Sequence, residues 1–248
     1  TFFLSFLGRN IFFISLDGKT FSFLVALTML LSTLIQSISV NAAFSDVAED
    51  NRYKTAINTL TTLKVINGYE DGTFKPDQSI TRAEFTKLIV YMLGYGHFST
   101  PITQFNDVAD THWANANIKT AYDLGIVNGF DEVTFKPDAP VTYEQALKMV
   151  VCTLGYQTFA EGKGGYPLGY RDQASSLKLT DGISGIGYEE NATRGVVAQV
   201  MYNALEVKMY EQVGLEWEIT EKNILNDGVV TNRYPADGLP GLSGELGG

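Results

Sequence analysis

Residues 44–95 recur at 105–156 with a constant offset of 61 and no gap, and 20 of the 52 positions are identical, where chance gives roughly one in twenty. Phe44-Ser-Asp46-Val47-Ala48 returns as Phe105-Asn-Asp107-Val108-Ala109, and Asn67-Gly68 as Asn128-Gly129. Thr73-Phe74-Lys75-Pro76-Asp77 returns as Thr134-Phe135-Lys136-Pro137-Asp138, and Leu93-Gly94-Tyr95 as Leu154-Gly155-Tyr156. A third copy is worn: Leu63 to Gly68 matches Leu177 to Gly182, and Thr81-Arg82 matches Thr193-Arg194. Its loop is two residues shorter, the Phe-Lys-Pro-Asp segment is gone, and Tyr166-Pro-Leu-Gly-Tyr170 replaces the opening Phe-x-Asp-Val. A duplicated unit of this length is one supersecondary element that cannot bury its apolar face alone, so neighbouring copies must share a core.

Each unit reads as helix, loop, helix. Tyr53, Ala56, Ile57, Leu60 and Leu63 fall on one helical face, with Lys54, Asn58 and Thr61 opposite. Asn67-Gly68 is expected to end that helix, with Gly68 in the left-handed cap. Asp71-Gly72 predicts a turn and Pro76 a stiff loop. A second helix is expected from Thr81, carrying Phe85, Leu88, Ile89 and Met92 and stopped by Gly94; its third-unit counterpart carries Val197, Val200, Met201, Ala204 and Leu205. The expected fold is all-α: three tandem helix-loop-helix repeats in one body from about 43 to 210, with a short β-like C-terminal segment. The divisions are 1–42, 43–100, 101–160, 161–210 and 211–248. In the last, Leu215, Trp217 and Ile219 alternate with Glu216 and Glu218, the pattern of a strand. The Gly-rich end cannot form a core, and 211–248 reads as the start of a further module.

Residues 1–42 stand apart. Phe21 to Val40 is uncharged, Lys19 precedes it, and Val40-Asn41-Ala42 offers small or short residues at a cleavage point. That order is the order of a secretory signal peptide. An uncleaved membrane anchor is the alternative, since 20 residues can span a bilayer, although seven of them are Ser, Thr or Gln. Thr1 to Leu16 is a second, unusual apolar run ahead of this segment. The remainder carries 16 basic and 27 acidic residues, which argues against a nucleic-acid partner. With Cys152 alone and only His97 and His112, no internal disulfide is possible and a Cys/His metal site is hardly so. No cofactor is expected. Residues 67–78 have Gly72 where a calcium loop of the EF-hand kind has its glycine, but Tyr69 and Gln78 stand where carboxylates are needed.

Thr81-Arg82-Ala83-Glu84 has the form of a capping box, in which Thr81 and Glu84 satisfy helix-end N–H groups reciprocally. That explains Thr81 and Glu84 but not Arg82, a cation in the first turn that opposes the helix dipole. Arg194, after Thr193, repeats the arrangement. An Arg beside exposed N–H groups at a helix start can grip a carboxylate or phosphate; a solvated charge is the competing reading. On the anion-site reading, Arg82→Ala is expected to leave stability unchanged or slightly raised. Tyr143 replaces the Arg in the second unit, where the capping pair is Thr142 and Gln145. Trp113 near the first helix reads first as core and second as a binding aromatic. Lys75 and Lys136 are loop cations that could assist a polyanion.

Phe-x-Asp-Val, Asn-Gly-Tyr-Glu-Asp-Gly-Thr-Phe-Lys-Pro-Asp and Ile-Thr-Arg-Ala-Glu-Phe together resemble the S-layer homology (SLH) domain, over about 44–210 in three tandem copies. The resemblance implies a pseudo-threefold helical bundle whose inter-copy grooves bind secondary cell-wall polysaccharide on peptidoglycan, often pyruvylated. It implies a ligand-binding set of Arg82 with Thr81 and Glu84, then Arg194 with Thr193, then Tyr143 and Trp113. The second copy has Tyr143 for the Arg, so that its groove is either dead or offers an aromatic face to a sugar, and the third keeps its Arg but loses the capping Glu. The function it implies is a non-catalytic, secreted cell-surface anchor. The alternatives are the anchor region of a surface hydrolase or an S-layer subunit whose functional module lies elsewhere. The body is expected to be monomeric, with a surface array possible and membrane contact only through an uncleaved N-terminus.

Overall fold

The computed structural model describes residues 2–7, 10–15, 44–95 and 103–225. The expected signal segment Phe21–Val40, His97 and the Gly-rich end beyond residue 225 lie outside them. The chain divides into two units, Thr1–Ala42 and Ala43–Gly248. In the first, β1 (Phe2–Leu7) pairs antiparallel with β2 (Asn10–Ser15), in a register that sets Leu7 opposite Asn10.

The second unit is mostly helical, as the apolar periodicity predicts. Its helices are α1 (Lys54–Thr62), α2 (Arg82–Met92), α3 (Asn115–Asp123), α4 (Tyr143–Thr153), α5 (Gln157–Gly162), α6 (Leu168–Ser176) and α7 (Arg194–Ala204). Among the described residues none is long and apolar enough to cross a membrane. Tyr53, Ala56, Ile57 and Leu60 are buried on α1, and Phe85, Ile89 and Met92 on α2. Leu88 is half-buried. All five apolar residues predicted for α7 are buried. Helix α5 was not legible as a separate element.

The helices at the repeat positions pair across units, and α5 packs on α6. α1 packs on α7, α3 on α2, and α6 on α4, while α4 also touches α2 and α7. Just before α2, α4 and α7 the chain closes a ring of backbone hydrogen bonds. Ile80 donates to Ala192 (3.1 Å), Ala192 to Val141 (2.8 Å), and Val141 to Ile80 (3.1 Å). All three residues are buried.

The repeat signature has a physical reason. Asp46 accepts from the N–H groups of Phe74 and Lys75, both at 2.7 Å; Asp107 does the same for Phe135 (2.8 Å) and Lys136 (2.6 Å). The lysines have φ of 58°, a conformation that L-residues adopt only at a cost, and the carboxylate holds the loop in it. Phe44 lies against Phe74 and Phe105 against Phe135, with ring centroids 5.3 and 5.4 Å apart. Opening segment and loop are thus partners, and the third unit lacks both.

Gly68 does not cap α1. The left-handed residue there is Lys64 (φ 57°); Lys64 N–H bonds Thr61 and Val65 N–H bonds Leu60, which closes the helix end. Gly68 is required for close approach: a Cβ there would meet the Phe44 ring and lie 2.7 Å from the Thr73 carbonyl oxygen. Gly94, by contrast, stops α2 with φ of 80° as expected.

The body also extends past residue 210. β3 (Tyr210–Val213) and β4 (Glu216–Ile219) form a hairpin. Tyr210 N–H donates to the Leu154 carbonyl, its ring meets Phe159 edge-on at 4.9 Å, and Ile224 is fully buried. Tyr210 and Ile224 thus hold both ends of the hairpin segment against the helical unit.

Two variants test this packing. Asp46→Ala strips two N–H groups of a charged partner and is expected to lower unfolding free energy by about 2–4 kcal/mol in denaturant titration. Thr86 is fully buried and its hydroxyl has no hydrogen-bond partner, whereas Leu147 and Ala198 stand at the matching places. Thr86→Val is expected to raise stability by about 1 kcal/mol.

Candidate functional site

The starts of α2, α4 and α7 cluster around the backbone ring. Thr81 accepts from Glu84 N–H at 3.2 Å while Glu84 accepts from Thr81 N–H at 2.8 Å, so the predicted capping box is formed. Thr142 and Gln145 form the second, and Thr193 accepts from Val196 N–H at 3.3 Å without a return bond.

The N–H groups ahead of these caps are not exposed. Arg82 N–H donates to the Ala139 carbonyl, Tyr143 N–H to Glu190 and Arg194 N–H to Gln78, each at 2.9 Å. The next N–H groups, of Ala83, Glu144 and Gly195, donate to Pro137, Tyr188 and Pro76 at 2.8–3.0 Å. Carbonyls of the neighbouring unit thus occupy the positions where the sequence reading puts an anion. Helix-end donors do not make the site, and the expectation of exposed N–H groups beside Arg82 and Arg194 is corrected.

The two arginines are held in the fold, Arg82 partly exposed and Arg194 buried. Arg82 Nε donates to the Phe135 carbonyl (2.9 Å) and Nη2 to that of Asn128 (3.1 Å), and the group lies 4.6 Å above the Phe135 ring. Arg194 donates likewise to Phe74 (2.8 Å) and Asn67 (3.1 Å), between the Phe74 and Tyr69 rings at 4.7 and 4.8 Å. Each Arg therefore ties its helix to the loop of the next unit. Burial lowers the Arg82 pKa, with Asp107 pulling the other way, but a guanidinium stays charged throughout the accessible pH range.

Beside each Arg opens a groove. One, of about 360 Å³, is lined by Arg82, Asn128, Gln145, Lys148 and Tyr166. The other, of about 300 Å³, is lined by Arg194, Asn67, Glu84, Lys87, Tyr91 and Trp113. Residues of the two sets match by repeat position. In both, a lysine stands over aromatic rings: Lys148 Nζ is 5.2 Å from the Tyr166 ring, and Lys87 Nζ is 5.4 and 5.6 Å from those of Tyr91 and Trp113. Among the described residues, none of these four cations enters an ion pair. For a buried or half-buried cation to touch only neutral carbonyls and ring faces is unusual, because desolvation of a charge is costly without a paired counter-charge; Asp107 acts on Arg82 from nearby without forming an ion pair.

The other predicted residues divide. Trp113 is 55% exposed and walls the second groove, so its reading as core is corrected: α3 packs on α2, and Trp113, two residues before α3, is left at the groove wall. Tyr143 is only 4% exposed and stacks flat on Tyr188, centroids 5.6 Å apart. Burial drives its phenol well above the ordinary range, and it offers no face to a ligand. Lys75 and Lys136 stand over the Tyr69 and Phe130 rings at 4.1 and 3.1 Å and line neither groove. Sequence reasoning missed Lys87, Lys148 and Tyr166. The two lysines are identical at the 61-residue offset, but one conserved-looking charge on an amphipathic helix reads as a solvated face.

Arg82→Ala abandons two carbonyls and a ring contact, so the expectation of unchanged stability gives way to a loss of about 2–3 kcal/mol. Thermal unfolding of the variant checks this, and Arg82→Lys should recover only part, because an ammonium lacks the planar fork.

S-layer homology domain models match at 43–86 and 104–147. A cell surface protein of Thermoanaerobacter kivui is 32% identical over 189 residues, 75% of this chain and 24% of that protein. A surface layer protein of Brevibacillus choshinensis is 32% identical over 184 residues, 71% of this chain and 16% of its own. A cellulosome-anchoring protein of Acetivibrio thermocellus is 34% identical over 111 residues, 43% of this chain and 25% of its own. The chain thus spans a quarter or less of these relatives' length. With these two tandem matches, the chain carries S-layer homology domains at 43–86 and 104–147.

Proposed function

We propose that this chain is a non-catalytic anchor that holds an exported protein on the bacterial cell wall. The ligand is an acidic secondary wall polysaccharide, with pyruvyl ketals as its charged groups. One observation carries the reading: two grooves at matching repeat positions each hold an Arg and a Lys without an ion-pair partner, beside aromatic rings. A carboxylate supplies the missing counter-charge through a charge-assisted bond, and a sugar ring fits the aromatic wall. Arg82, Arg194, Lys87, Lys148, Trp113 and Tyr166 are the contact residues. Thr81, Thr193 and Glu84 act by holding the helix starts. Tyr143 is a packing residue. The names of the relatives support surface anchoring.

In this reading, residues 161–210 are a third, worn copy and the body is a pseudo-threefold helical bundle. The cyclic pairing of α1 with α7, α3 with α2 and α6 with α4 supports that, as does the ring through Ile80, Val141 and Ala192. Residues 1–42 serve export.

The test is co-sedimentation of the whole chain with purified Gram-positive walls, before and after chemical removal of the secondary polymer. Stripping should abolish binding, and raising salt from 0.05 to 0.5 M should weaken it at least tenfold, by the screening of charges on scales of roughly 10 Å. Full binding to stripped walls would overturn the proposal.

A further inference from the structure

We infer that only two of the three inter-unit junctions take an acidic glycan, and that these two are unequal; this rests on the function just proposed. At each open groove an Arg from one unit, a Lys from the next and an aromatic from the third converge. At the junction of the second unit with the third, every one of these is replaced. Tyr143 stands for the Arg, Gln199 for the Lys and Arg52 for the aromatic.

The replacements bond to the fold or stack on it, so this junction differs from the open grooves in chemistry rather than in space. The Tyr143 ring lies parallel to Tyr188, at 6°. The Gln199 amide donates to Asn203 at 2.8 Å, and Asn203 donates to the carbonyls of Leu179 (3.0 Å) and Asp181 (2.8 Å). Asp181 is the repeat counterpart of Asn67 and Asn128, whose carbonyls accept from the Arg in the open grooves. Arg52 donates to the carbonyl and hydroxyl of Ser184, at 3.1 and 3.0 Å, beside a cavity of about 350 Å³ that Asp77 and Glu190 also wall. One further cation, Arg171, lies 4.4 Å over Tyr188, but it is answered from within. Its Nε is 2.9 Å from a Glu144 oxygen, Glu189 lies at 3.9 Å, and Tyr166 donates to the other Glu144 oxygen at 2.8 Å. Glu144 stands where the first unit has Ala83 and the third Gly195. At this junction the cation beside the tyrosine stack is paired within the fold, and Arg52, which is exposed, is bonded to Ser184.

The open grooves differ in charge and in wall. The Arg82 groove has neutral Gln145 where the Arg194 groove has Glu84. It is the more positive and depends more on the ligand's carboxylate. The Arg194 groove has Trp113 and Tyr91 and depends more on ring contact.

The experiment titrates the whole chain with a synthetic disaccharide bearing one pyruvyl ketal, and with its uncharged methyl ester, by calorimetry and native mass spectrometry. Two molecules should bind per chain. Lys148→Met and Lys87→Met should each leave one site, and the double variant none. Tyr188→Ser and Arg52→Met should leave two. Esterification should weaken the site that remains in Lys87→Met at least tenfold, and the site that remains in Lys148→Met several-fold less. One or three molecules bound, or a site lost in Tyr188→Ser with unchanged circular dichroism, would overturn the assignment of the junctions. Equal effects of the ester would overturn their inequality. No binding at all by the unaltered chain would instead refute the proposed function.

Discussion

The first N–H groups of three helices are bonded to carbonyls of the neighbouring unit, and much else follows from that. A helix start must satisfy its donors; here the caps satisfy one each, and the loop of another unit satisfies the two before it. Neither α2, α4 nor α7 has a complete N-terminus without its neighbour. The ring through Ile80, Val141 and Ala192 ties the same three points together in a dry interior, where an unpaired amide costs most. Interdependence of this kind explains how residues 161–210, in the proposed reading a worn third copy, keep their place: the start of α7 is completed by the loop at Pro76 and Gln78.

The two arginines stand at the meeting of fold and function. Each tethers one unit's helix to another unit's loop, and each leaves its charge without an ion-pair partner among the described residues. A residue that positions the groove and, in the proposed reading, also faces the ligand cannot be read by affinity alone, because its loss disturbs both. The lysines one helical turn beyond the capping boxes are the cleaner reporters of recognition, since they line the grooves and bond no backbone.

In the proposed reading of 161–210 as a third copy, the absence of the signature there also has a physical reason. Asp46 and Asp107 exist in this fold to hold loops whose lysines have positive φ. Where the loop is shortened and that strain is absent, the aspartate has nothing to hold, so the two segments disappear together. At the same junction Tyr143, Glu144, Arg171 and Tyr188 have become a self-contained packing group.

The sequence by itself determined the units, their helix-loop-helix form and the caps of Thr81 and Thr142, because those depend on spacing within about ten residues. It also marked Arg82 and Arg194, since a cation in a first turn opposes the local dipole. Trp113 went astray because tryptophan is usually core and nothing local says that it flanks a groove. Gly68 went astray because a glycine needed for a neighbouring ring and one needed for a left-handed turn look alike in one dimension. Tertiary structure alone decided which N–H groups are free, which lysine meets which arginine and which junction pairs its own cation. Most of those facts rest on contacts between residues tens of positions apart, up to 132 for Arg52 and Ser184, and no helical periodicity carries information over such distances.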